Sequence, residues 1–83
     1  MPYIVIRVVD RNTKRPVSGA FVDLNGWTGV TDFTGEVVFN PPRGTYTLIV
    51  LHREYSPWRR RISLLRDIRV TVELTPLLRP LGW

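Results

Sequence analysis

The 83 residues contain no cysteine, a single histidine (His52), and 12 basic against 7 acidic side chains, for a net charge of +5. That length holds one domain, and the missing cysteines exclude disulfides, thiolate metal sites and cysteine nucleophiles. One histidine rules out a His-rich metal site and argues against a histidine-based triad, while 43% hydrophobic and 23% charged residues describe a globular chain.

Period-2 alternation runs through the chain, and no stretch carries a 3.6-residue stripe. The alternation predicts a first strand over 3–10, with Ile4, Ile6 and Val8 on one face. A polar turn region over 11–19 follows, carrying Pro16 and Gly19. Residues 20–24 predict a second strand that turns Ala20, Val22 and Leu24 inward. Asn25-Gly26 then marks a tight hairpin, because a type I′ turn needs φ > 0 at both central positions. A short strand over 27–31 leads to a turn at Asp32-Phe33-Thr34-Gly35, where Asp32 can accept backbone N–H bonds and Gly35 can go left-handed. A strand over 36–40 buries Val37 and Phe39, and Pro41-Pro42-Arg43-Gly44 forms the next turn, with Gly44 as a turn residue.

Residues 45–51 place Tyr46, Leu48 and Val50 on one face, and 52–57 form a connector. Alternation resumes over 58–64, Arg66-Asp67 turns, and 68–74 faces Ile68, Val70, Val72 and Leu74 inward. Seven short strands with regularly spaced turn signals predict an all-β, seven-stranded antiparallel β-sandwich over 1–76, with an apolar C-terminal arm at 77–83.

In order along the chain stand Val9-Asp10; Pro16-Val17-Ser18-Gly19-Ala20-Phe21-Val22; Thr31-Asp32-Phe33-Thr34-Gly35; and Pro42-Arg43-Gly44-Thr45-Tyr46-Thr47-Leu48-Ile49-Val50. This series resembles the carboxypeptidase-regulatory-like, or transthyretin-like (prealbumin-like), β-sandwich family over roughly residues 3–74. The resemblance implies a transthyretin-like or immunoglobulin-like sandwich, used as an accessory, adhesive or assembly module whose motif residues build turns and core. The chain departs from the pattern at Glu54-Tyr55, where the family often has glycine-tyrosine. The family's hydroxyisourate hydrolases use several histidines and a C-terminal tyrosine-arginine-glycine-serine. This chain has one histidine and ends Pro80-Leu81-Gly82-Trp83, so that activity does not carry over.

The residues themselves offer no catalytic set. The aspartates fall in turns or on outward strand positions, and no serine has a base within evident reach. Single scattered glycines make no phosphate-cradling loop. A calcium site at Asp10, Asn12 and Asp32 would need six or more oxygens, against the positive balance. No enzyme activity and no cofactor are expected.

The charged feature that stands out is basic: Arg59, Arg61, Arg66 and Arg69, beside Trp58. Pairing of 58–64 with 68–74 as a hairpin would put Arg59, Arg61 and Arg69 on one surface. Such a patch, with Trp58, Tyr55 or His52 for stacking, suits nucleic acid, and it suits an acidic protein surface equally well. A carbohydrate or small-ligand reading on Trp27, Tyr55 and Trp58 has no distinctive spacing behind it.

The tail carries Leu77, Leu78, Leu81 and Trp83, which a solvated terminus normally avoids. Val5 and Val9 on the first strand, and Ile49 and Leu51 on the fifth, are apolar on the face expected to point outward. Together these residues predict self-assembly or docking on a larger protein, in a filament, virion or surface context. A protein partner, with a homo-oligomer or filament as the first form, therefore ranks ahead of nucleic acid. No signal peptide is visible at the start, and no apolar run approaches the roughly 20 residues that span a bilayer. The location is thus cytoplasmic or virion-borne, or that of an extracellular domain cut from a longer chain. The absence of glutamine and the single methionine fit a heat-adapted source.

Overall fold

A computed structural model describes residues 1–77. Seven strands follow one another: β1 (Ile4–Asp10), β2 (Phe21–Leu24), β3 (Trp27–Val30), β4 (Glu36–Phe39), β5 (Gly44–Leu51), β6 (Trp58–Leu64) and β7 (Ile68–Leu74). They form two sheets, a three-stranded one in the order β4-β1-β7 and a four-stranded one in the order β3-β2-β5-β6.

The strand positions follow the alternation closely, because every strand except β3 has buried residues on one face. Ile4, Ile6 and Val8 of β1, Val22 and Leu24 of β2, Leu48 and Val50 of β5, Leu64 of β6, and Val72 and Leu74 of β7 are all fully buried between the sheets. Burying one such side chain is worth about 1.5–3 kcal/mol, and together they form a single core.

The turns are built as their residues dictate. Asn25 (φ 48°) and Gly26 (φ 96°) are both left-handed and join β2 to β3. Asp23 Oδ1 accepts from the Gly26 N–H at 2.8 Å, and Asn25 Oδ1 accepts from the Thr47 N–H. Asp32 Oδ1 accepts from the Thr34 N–H (2.9 Å), the Thr34 hydroxyl (2.6 Å) and the Glu36 N–H (3.0 Å). Those donors, the Thr34 hydroxyl first, hold the Asp32 carboxyl below its ordinary range. Gly35 has φ 80°, and a Cβ there would lie 2.6 Å from the Val8 carbonyl oxygen. Gly44 differs from expectation: it opens β5 without a left-handed backbone, so it is a strand residue.

The sheets are not wholly antiparallel. β1 and β7, the first and last strands, pair in parallel from Ile4 opposite Ile68 to Asp10 opposite Leu74. Turn chemistry reports only pairings between neighbours in sequence, so a pairing across some sixty residues left no local signal. The same topology puts β6 and β7 in different sheets, which removes the expected hairpin between them. The polar region after β1 has its own role. Residues Arg15 to Val17 run back along the end of β1, with the Asp10 N–H donating to Arg15 O and the Val17 N–H to Val8 O.

Candidate interaction surfaces

The outer face of the four-stranded sheet carries an apolar row set by register. Val30 of β3 stands opposite Phe21 of β2, and Phe21 opposite Leu51 of β5. All three are open to solvent, at 60%, 40% and 41% exposure. Leu51 also lines a shallow cleft with Gly19, His52, Arg53 and Pro57. The next row pairs Asp23 with Ile49 and Ile49 with Arg59, leaving Ile49 half-buried among polar neighbours. Phe21 and Val30 were missed in the sequence, yet the inward assignment of Ala20, Val22 and Leu24 already put Phe21 outward by simple alternation.

The three-stranded sheet presents less. Val5 is half-buried between Val38 and Arg69. Val9 points outward but is only 6% exposed, and its backbone bridges Pro16, so it belongs to no free face. The first strand's second apolar face is therefore mostly closed by the chain itself.

The four arginines do not converge. Arg59 and Arg61 project from the outer face of the four-stranded sheet, opposite Ile49 and Thr47 in register. Arg69 projects from the outer face of the other sheet, where its guanidinium lies 3.1 Å from Glu36 Oε2. Arg66 sits in the β6–β7 turn, lining a cleft with Met1, Pro2, Arg43 and Asp67. Arg60 was not singled out by the sequence. It occupies an inward-parity position on β6, yet its guanidinium lies exposed over the Trp58 ring, 5.9 Å from the centroid.

A polar corner closes one end of the sandwich. The Tyr55 hydroxyl donates to Asp10 Oδ2 at 2.9 Å, while Asp10 Oδ1 accepts from the Asn12 and Thr13 N–H groups. The Thr13 N–H first, then the Tyr55 hydroxyl, hold the Asp10 carboxyl below its ordinary value. Burial first, then the Asp10 carboxylate, push the Tyr55 phenol above its own. Tyr55 is thus committed to a structural bond, with His52 edge-on to its ring at 5.3 Å, and is not a free stacking platform. The connector makes its turn through a Tyr55 N–H bond to His52 O, with no left-handed residue at Glu54. This explains how glutamate stands where the family often has glycine.

The start of the tail folds back. After β7, Pro76 bridges Tyr55 in antiparallel fashion; the Ser56 N–H donates to Thr75 O and the Leu77 N–H to Glu54 O. Pro76 lies between these bonds, where a missing N–H costs no hydrogen bond. Leu77 itself is 47% exposed. Leu78, Leu81 and Trp83 lie outside the described residues. Among the described residues no group of three or more His, Asp or Glu side chains gathers to hold a metal ion. No helix among them is long and apolar enough to cross a membrane.

No family model matches the chain. Over 67 aligned residues it is 34% identical to S-layer protein B of Metallosphaera sedula, an alignment that covers 75% of this chain and 16% of that protein's length. Among solved structures, BcpA, the major pilin subunit of Bacillus cereus, superposes with a TM-score of 0.70 at 22% identity, covering 92% of this chain and 30% of the pilin. A chain of a cohesin–X-dockerin complex of Acetivibrio cellulolyticus superposes with a TM-score of 0.66 at 22% identity, covering 87% and 53%. These likenesses show the β-sandwich fold.

Proposed function

We propose that this domain is a non-catalytic structural or protein-interaction module of a cell-surface assembly, packing against copies of itself or docking on a larger protein. The observation that carries the reading is the solvent-facing row Val30, Phe21 and Leu51, aligned across three strands of one sheet. An aligned apolar row on a small sandwich is a surface that association would cover. The identity with S-layer protein B and the fold shared with a pilin favour the surface setting over the virion and cytoplasmic ones. Residues Leu77, Leu78, Leu81 and Trp83 add apolar area that the same association would use.

Sedimentation velocity on the full chain, on a chain lacking 77–83, and on a Phe21→Ser/Leu51→Ser variant tests the reading. The full chain should sediment as more than a monomer, and either change should shift it towards monomer. Monomer in all three up to about 1 mM, where even an interaction of about 4 kcal/mol would show, would sink it.

A further inference from the structure

The two sheets offer four edges, and they are not equivalent. β3 and β4 are four-residue strands that lean on one another across the sandwich. β7 is longer, but its outward charges are already matched: Arg69 by Glu36, and Glu73 by Lys14 at 2.6 Å. Among the described residues, β6 is a seven-residue strand at an unpaired edge of the four-stranded sheet. It carries Arg59, Arg60 and Arg61 in succession, and none has an ion-pair partner among the described residues. At about 3.3 Å per residue such an edge offers roughly 20 Å of unpaired backbone donors and acceptors.

We infer that the free edge of β6 receives an extended acidic strand from a partner protein, adding a fifth strand to this sheet. The assignment rests on the reading of the domain as an interaction module, and names the partner's chemistry. A strand laid along β6 would place every second side chain on the outer face beside Arg59 and Arg61, and the alternate ones towards the interior. The interior there is incompletely closed: Trp58 and Ile62 of β6 and Ile68 and Val70 of β7 pack on the core while only partly buried. The fitting partner therefore alternates acidic residues, facing Arg59 and Arg61, with apolar residues covering Trp58 and Ile62. A second β6 is a poor occupant, since two such edges would bring six arginines together.

The probe is a capped peptide of about eight residues alternating Val and Glu, a length matched to a typical strand. Amide chemical shifts and calorimetric titration at low salt read the interaction. The expected result is shifts concentrated in Trp58–Leu64, with binding weakened at least about tenfold in Arg59→Gln/Arg61→Gln. Thermal unfolding of that variant confirms that both proteins are folded. A peptide with the same composition in separate Val and Glu blocks, and an alternating Val and Lys peptide, should bind at least about tenfold more weakly. No shift along β6 at about 1 mM peptide overturns the assignment. So do shifts confined to β3 and β4, or equal binding by the block peptide or by an oligothymidylate of like charge. Sedimentation of the peptide-free chain reads the broader function separately. An assembling chain whose β6 ignores the peptide loses only the acidic-strand assignment.

Discussion

Where β3 meets β4 the two sheets touch through a glycine. A Cβ on Gly29 would lie 2.8 Å from Val37 Cγ2 and 3.4 Å from the Phe39 ring. On the other flank, between β6 and β7, Trp58, Arg59, Arg60, Thr71 and Glu73 line an open cleft with Arg11 among the described residues. One flank is sealed by the absence of a side chain, and the other is left open under long charged ones. A small sandwich can leave an edge available for a partner only if its core is closed elsewhere. Here the Gly29 contact and the Asp10–Tyr55 corner supply that closure.

Breaking the sealed flank should have the largest effect. Gly29→Val inserts three carbons where Val37 and Phe39 already stand, and overpacking of this kind costs about 3 kcal/mol. For a domain of this size that lowers the unfolding midpoint by more than about 10 °C, readable by calorimetry. A loss below about 1 kcal/mol would mean that the sheets can part at this flank without cost.

Thr31, which follows β3, sharpens the same side by chemistry instead of volume. Its hydroxyl is buried, donates to Val17 O at 2.7 Å and accepts from the Ala20 N–H at 2.9 Å. Thr31→Val keeps the shape and strands both backbone groups, for an expected loss of about 2 kcal/mol in chemical denaturation.

At the corner, Tyr55→Phe removes one partly exposed bond to Asp10 and should cost about 1 kcal/mol. The pH dependence gives a second readout. The carboxyls of Asp10 and Asp32 lie below their usual 3.8, and that of Glu73, held by Lys14, below its usual 4.5. A carboxyl with a depressed folded pKa contributes stability above its unfolded value and loses it as pH falls through the folded one. Native stability should therefore fall with acidification below about pH 4. The gap between wild type and Tyr55→Phe should be widest at neutral pH and shrink across that range. The raised Tyr55 phenol has the opposite sign: its contribution is present below about pH 10 and lost above. A gap that stays constant from pH 7 to about 2 would separate Tyr55 from Asp10 energetically.

These differences in strength mirror what the sequence could and could not report. Most strands were legible because their inward residues alternate, and the turns at Asn25-Gly26 and Asp32–Gly35, which bracket β3, were legible because φ > 0 and side-chain capping restrict residue type. The parallel pairing of β1 with β7 was not legible, nor was the division of the arginines between two sheet faces. Both depend on which sheet a strand joins, and alternation reports a strand's face without its sheet. Val9 shows the reverse case: its outward parity was correct, yet it is only 6% exposed, with residues 15–17 paired along the backbone beside it. Phe21 and Val30 join into a surface with Leu51 only once register is known.

Arg60 is where the open flank can be tested most finely, because it breaks the alternation without being buried. The residue stands at an inward-parity position, between Trp58 and Ile62, which an ordinary core strand would fill with an apolar side chain. Its stacking over Trp58 at an exposed site is worth about 0.5 kcal/mol, and a β-branched replacement regains a similar amount in strand preference. Arg60→Val should therefore change stability by less than about 0.5 kcal/mol, unlike the same side chain introduced at Gly29. What should change is association. Removing the central charge from a seven-residue free edge, and putting an apolar side chain beside Trp58, makes that edge a better partner for another copy of itself. Sedimentation at matched concentrations should show Arg60→Val moving towards larger species with unchanged unfolding. If it destabilises the monomer by more than about 1 kcal/mol, Arg60 belongs to the fold, and the flank is not an open edge held apart by charge.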